Sequence, residues 1–195
     1  MTPQQLAICT GCKSVALAES WLRYLAPAMS LYSIDTPARR AYFLAQIGHE
    51  SGGLRYTSEL WGPTPAQSRY EGRADLGNTR PGDGALFRGH GLIQVTGRAN
   101  HARMRDRLRK RFGDTREVPD FEEFPELLAQ PEWAALSAAD FWDDHDLNTW
   151  ADMGSVDGVS DVINKGRKTR AEGDANGFAE RAKLTAAGLK ALGVA

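Results

Sequence analysis

One helix that must be buried sets the terms for this chain. Thr36 followed by Pro37 marks its start. The threonine hydroxyl can accept from a first-turn N–H, and proline's fixed φ suits the first helical position. The run ARRAYFLAQIGHE then places Tyr42, Phe43, Ala45, Gln46 and Ile47 around most of the helix circumference. A helix apolar on most sides belongs inside a domain rather than on its surface. Gly52 and Gly53 stop it, because glycine takes a left-handed backbone without steric cost. The chain is therefore expected to build outward from residues 37–50.

The remaining pattern is also mainly helical. Residues 14–28 place Val15, Leu17, Ala18, Trp21, Leu22 and Leu25 at spacings near three and four. Met104, Leu108 and Phe112 form a stripe that Gly113 ends. Pro131 opens a further helix, SVDGVSDVIN is a short one ended by Gly166, and residues 176–192 form the last. That last helix is led by Asn176 and turns Phe178, Leu184 and Leu189 inward. Residues 61–91 are rich in Gly, Pro, Asn and Asp and read as a long irregular loop, which is uncommon unless functional. LIQVT (92–96) is too short for either period to decide. With 195 residues and no linker or repeat, the expectation is one mainly α domain over residues 1–195.

Composition narrows the function by exclusion. The formal net charge of −1 gives no overall pull on nucleic acid or membrane. The charge is unevenly spread, though. RANHARMRDRLRKR (98–111) is strongly basic, and residues 117–146 carry many acids and no Lys or Arg. Two solvated helix faces explain that, and so does a basic surface for an anionic polymer. No apolar run reaches the roughly 20 residues that span a bilayer. The N-terminal MTPQQLAICTGCK lacks the layout of a secretory signal. Cys9 and Cys12 have no second pair to complete a structural zinc site and open no βαβ unit. They are read as incidental small residues in a reducing compartment.

The stretch GHESGGLRYTSEL carries two glutamates, Glu50 and Glu59, nine positions apart. On one unbroken helix they would point to opposite faces, about 13.5 Å apart along the axis. The Gly52–Gly53 stop changes that: Glu50 ends the buried helix, and Glu59 lies on a segment free to fold back. That layout suits a carboxylate pair. His49 cannot begin a His-Glu-x-x-His zinc motif, because residue 53 is glycine.

AQIGHESGGL followed by SE resembles the glycoside hydrolase family 19 signature, in which a helix ends in His-Glu-(Thr/Ser)-Gly-Gly. The bacterial and phage branch of that family places its second catalytic glutamate nine residues on, as here. GNTRPGDGALFRGHGLIQVTGRANH is similar to the family's Gly-Arg-Gly-(Pro/Leu)-Ile-Gln-Leu-(Ser/Thr)-x-x-x-Asn-Tyr block. DVINKG and FAERAKL resemble its later Ile-Asn-Gly-Gly and Arg-containing helix. The resemblance runs from about residue 40 to 190. It implies a lysozyme-like superfamily fold, a single domain with two lobes around a substrate cleft and little β.

That resemblance implies roles residue by residue. Glu50 is the expected general acid, Glu59 the general base, and Thr96 the hydroxyl that helps hold the attacking water. Gln94, Asn100, Asn164 and Arg181 fall on substrate-binding or carboxylate-orienting positions, and His49 and Tyr70 complete the substrate-binding candidates. Each has a plainer reading as well: Thr96 could cap the 98–112 helix, Gln94 could satisfy backbone groups, Asn164 could simply end a helix, and His49 could be structural. His90 stands where the family has Arg, Ala99 where plant members have a sugar-contacting Tyr, and Lys165 where the family has Gly. The resemblance implies no metal or cofactor.

The expected reaction is inverting hydrolysis, in which the two carboxyls flank a water roughly 6.5–9.5 Å apart. Short members without a leader or wall-binding module look like phage endolysins. Such enzymes are made in the host cytoplasm, released through holin pores and cleave between N-acetylmuramic acid and N-acetylglucosamine. This reading expects a monomer with bacterial cell-wall peptidoglycan as its partner, no nucleic acid and no stable membrane insertion. A chitinase, a lytic transglycosylase (echoed by HES and GLIQ) and a non-catalytic sugar-binding protein are the alternatives.

Overall fold

The computed structural model describes residues 1–194. Among them, ten α-helices follow in chain order: α1 Pro3–Thr10, α2 Val15–Leu31, α3 Pro37–Glu50, α4 Pro65–Ser68, α5 Asp83–Leu86, α6 Arg98–Phe112, α7 Pro131–Asp144, α8 Leu147–Asp152, α9 Val156–Lys165 and α10 Phe178–Ala191. Extended pairing is limited to two antiparallel bridges, Ser58 with His90 and His90 with Val95. The fold is mainly α and of the lysozyme-like kind. The chain forms two compact units. The first is Met1–Arg55 together with the chain from Phe141 onward, and the second is Tyr56–Asp140.

The first unit is built on α3, as its sequence requires. Ala41 through Gly48 are all buried, and α1, α8, α9 and α10 pack on it. Thr36 caps its start, with its hydroxyl accepting from the Arg39 N–H at 3.1 Å. Phe43 meets Trp142 edge to face, with ring centroids 5.4 Å apart. The contact with α1 is closest at Gly48, where a β-carbon would fall 2.3 Å from the Thr10 carbonyl oxygen. Only glycine lets the two backbones approach so far, so the residue two before Glu50 is fixed by packing. The helix ends at Glu50, and Gly52 and Gly53 follow with φ of 59° and 76°.

Two expectations of the sequence are revised here. The last helix starts at Phe178 with Gly177 as its cap, not at Asn176. Its buried residues are Arg181, Thr185 and Gly188, whereas Phe178, Leu184 and Leu189 are half-buried. The face turned to α3 is thus small and polar, because Gly188 lies against Ala41 and Cys9. The N-terminal segment, for which no element was expected, forms α1, started by a capping box between Thr2 and Gln5. Cys9 and Cys12 are free and buried, and burial pushes the Cys9 thiol up to about 11.

The second unit holds the Gly- and Pro-rich stretch and most of the charge asymmetry. Residues 61–91 are not one loop: α4, α5 and a 3₁₀ turn at Ala74–Leu76 punctuate them. The basic run of α6 is largely matched from within. Arg98 pairs with Asp83 at 2.6 Å, Arg105 with Asp120 at 2.8 Å, and Arg107 with Asp140 at 2.6 Å. Burial raises the Asp120 carboxyl, but Arg105 and two backbone N–H groups more than offset this and hold it below the usual range. The basic and acidic runs that looked like separate faces therefore neutralise one another. Arg103 and Lys110 remain exposed on α6. No described helix is long and apolar enough to cross a membrane.

Candidate active site

Glu50 leaves the C-terminal end of α3 half-buried. Its partner is Arg181, on the inner face of α10 and only 1% exposed. One terminal nitrogen of Arg181 donates to Glu50 Oε1. The other donates to Gln46 Oε1 at 2.6 Å, and Nε donates to the Asn176 carbonyl at 2.9 Å. Gln46, one turn before Glu50, also donates to Ser160 Oγ on α9 at 3.2 Å. One planar guanidinium thus ties α3 to α10 and to the chain just before α10, through donors whose directions are rigidly related.

The other first-unit candidates sit around this tie. His49 Nδ1 lies 2.7 Å from Glu180 Oε2. Its ring rests on Gly177, where a β-carbon would fall 2.1 Å from Cε1. Asn164 Oδ1 accepts from the Asn176 N–H at 3.0 Å, pinning the end of the 166–177 loop. Asp161 anchors that loop's start by accepting from Lys168 Nζ and the Thr169 N–H, each at 3.0 Å. Its second oxygen, Oδ1, is buried without a partner.

Glu59 lies in the second unit, beside the short antiparallel pairing. Its N–H donates to the Gly89 carbonyl at 2.8 Å. The Gly89 N–H returns a bond to Glu59 Oε2 at 3.0 Å. The other carboxylate oxygen, Oε1, accepts from Gln67 Nε2 at 2.9 Å. Gln67 was not foreseen from the sequence. Its local signal is the capping box Thr64–Gln67 at the start of α4, within a stretch read as irregular.

Four further candidates lie in this unit, Tyr70 near Glu59 and three others linked in a string. Tyr70 packs its ring on Trp61, centroids 6.1 Å apart. Its phenol is raised chiefly by burial and then by the negative charge of Glu59. Gln94 has φ of 55°, unusual for a residue with a β-carbon, and donates to the Gly91 carbonyl at 2.7 Å. Thr96 Oγ1 donates to the Gln94 carbonyl at 2.9 Å. The helix cap is Gly97, so Thr96 does not cap α6. Asn100 Nδ2 donates to the Thr96 carbonyl at 2.7 Å.

Joined to the same segment through Val95 is a histidine pair. His90 and His101 are at most 1% exposed, and His90 Nδ1 is 3.0 Å from His101 Nε2. A carbonyl can only accept, so His101 Nδ1 carries a proton toward the Gly97 oxygen at 2.9 Å. His101 Nε2 then accepts from His90 Nδ1–H, and the His90 Nε2 lone pair is left buried and unmatched. Burial pushes His90 down to about 3 and His101 to about 4. Free histidine titrates near pH 6.5, so below that pH the unfolded chain binds protons that the folded pair refuses. Stability should therefore be lost progressively as pH falls from about 6.5 toward 4. Thermal midpoints measured across that range check this, and a flat profile would refute it.

Comparison with known proteins bears on this arrangement. The chain is 32% identical, over 173 aligned residues, to a Haemophilus influenzae protein described as a glycosyl hydrolase family 19 domain-containing protein. The match spans 75% of this chain and 76% of that relative. The chain belongs to glycoside hydrolase family 19. No protein-family model matches it. Family membership makes it a glycoside hydrolase with a polysaccharide substrate, chitin or peptidoglycan.

Proposed function

We propose that this family 19 domain is a peptidoglycan hydrolase of the endolysin kind. It would be made in a host bacterial cytoplasm, act as a monomer on the wall after release, and cleave between N-acetylmuramic acid and N-acetylglucosamine. The observation that carries the reading is that both motif glutamates are held at their oxygens: Glu50 by buried Arg181, Glu59 by Gln67 and the Gly89 N–H. In this reading Glu50 protonates the departing glycosidic oxygen. Glu59 takes a proton from the water that attacks the anomeric carbon from the opposite face, inverting it. Thr96 orients that water, and Gln94, Asn100, Asn164, Tyr70 and His49 line the sugar. Peptidoglycan is favoured over neutral chitin by exposed cations without acidic partners, Arg103 and Lys110 on α6 and Arg167 and Arg170 in the 166–177 loop.

Mass spectrometry of digested peptidoglycan and of chitin oligomers tests this. Hydrolysis adds one water per bond cut, and the muramyl end is a reducing sugar. A 1,6-anhydro product, one water lighter, would mean a lytic transglycosylase. Clearing of chitin oligomers but not of peptidoglycan would make the enzyme a chitinase. No product from either would leave a sugar-binding protein. Activity on peptidoglycan should also fall with added salt, since exposed charges are screened within about 10 Å at 0.1 M.

A further inference from the structure

Gln67 stands out among the residues to which the reaction above gives no role. It is 6% exposed in a segment whose neighbours are almost all exposed. Its amide uses every hydrogen-bonding position it has. Oε1 accepts from the Thr64 N–H at 2.8 Å and the Gly62 N–H at 3.2 Å. Nε2 donates to the Leu60 carbonyl at 2.7 Å and to Glu59 Oε1 at 2.9 Å. The amide cannot be turned over. Reversal would set its oxygen against two acceptors and its NH₂ against two N–H donors.

This orientation has a consequence for Glu59. One carboxylate oxygen meets the Gln67 NH₂, and the other meets the Gly89 N–H. Two donors at opposite oxygens fix the carboxyl plane about its last torsion, a soft one otherwise. The two donors come from parts of the unit far apart in sequence, the single turn of α4 and Gly89, next to the bridge residue His90. We propose that Gln67 is the positioning residue of the base, holding Glu59 in the plane from which it takes a proton from water. This rests on Glu59 being the base. The requirement is for a neutral donor with a fixed direction. A glutamate at 67 would oppose one carboxylate with another, and a methionine of similar length would donate nothing.

The capping box offers the competing explanation, that Gln67 merely starts α4. The Thr64 hydroxyl accepts from the Gln67 N–H at 3.3 Å and makes no contact with Glu59. Thr64→Ala therefore weakens the cap and spares the clamp. Kinetics on soluble peptidoglycan fragments, with thermal midpoints, would be compared for wild type, Thr64→Ala, Gln67→Met, Gln67→Glu and Glu59→Gln. A carboxylate displaced by even about 1 Å loses rate about a hundredfold. Gln67→Met should thus lower kcat about 10–100-fold with KM within about twofold, the mark of an interaction used in the transition state. Gln67→Glu should lower kcat as much and move the acidic limb of the pH profile up by about one unit, as a like charge would. Thr64→Ala should keep wild-type kcat despite a lower midpoint.

The proposal is overturned if Gln67→Met keeps wild-type kcat. It is also overturned if its loss tracks the midpoint as in Thr64→Ala, or if the Gln67→Glu profile superimposes on wild type. A separate result would sink the reading of Glu59 instead: full activity in Glu59→Gln.

Discussion

Replacing either motif glutamate by glutamine should lower peptidoglycan hydrolysis by about 10²–10⁴-fold, the usual contribution of a positioned acid or base. The two variants should differ in stability, and the difference follows from their partners. Glu50 faces a guanidinium that is 1% exposed. In Glu50→Gln that cation keeps an acceptor but loses its counter-charge. A hydrogen bond to a charged group contributes about 1.5–3 kcal/mol, and much of that would go. Glu59 faces neutral donors, Gln67 and the Gly89 N–H, with the Tyr70 phenol beside them. A glutamine there can satisfy one and must oppose the other, a loss of about 1 kcal/mol. Glu50→Gln should therefore have the lower thermal midpoint. Residual rates on soluble fragments and calorimetric midpoints check both halves. Full activity in either variant would remove that residue from the chemistry.

Helix ends were the most legible part of this chain, because their signals are local. Thr36–Pro37, Ser155, Gly113 and Gly166 each mark a boundary within one turn of where the backbone changes. The inner face of α10 was not legible. Apolar residues are expected inside, yet α10 meets α3 with Gly188, Thr185 and Arg181 because the helices lie close and share a polar tie. The basic run of α6 misled for a different reason. Its partners Asp83, Asp120 and Asp140 are 15 to 33 residues away, and no periodicity encodes such pairings. At the candidate site, the glutamates, Thr96, Gln94, Asn100, Asn164 and Arg181 are expectations drawn from motifs, which are read locally along the chain. Gln67 lay in a stretch whose turn chemistry hid a single helical turn. The His90–His101 contact joins His90, at which the second block departs from the family pattern, to a side chain on α6, a pairing that no local motif signals.

Arg181 carries the other large expected effect, because several structural elements depend on one side chain. Its guanidinium satisfies Gln46, the Asn176 carbonyl and Glu50, and through Gln46 it reaches Ser160. Arg181→Met keeps much of the volume and strands all three acceptors. Breaking a buried pair by removing one partner costs about 3–5 kcal/mol, a large share of a domain's stability. Arg181→Lys separates charge from geometry. Lysine restores the positive charge beside Glu50, but a compact ammonium cannot reach three acceptors set out for a planar fork. The lysine variant should regain part of the lost stability and stay at least about tenfold below wild type in kcat, measured well under its thermal midpoint. If lysine restored full activity, charge alone would suffice and the fork would be a matter of packing. If it restored neither stability nor activity, the guanidinium would be acting through Gln46 and Asn176, as the brace that holds the end of α3 and therefore Glu50 in place.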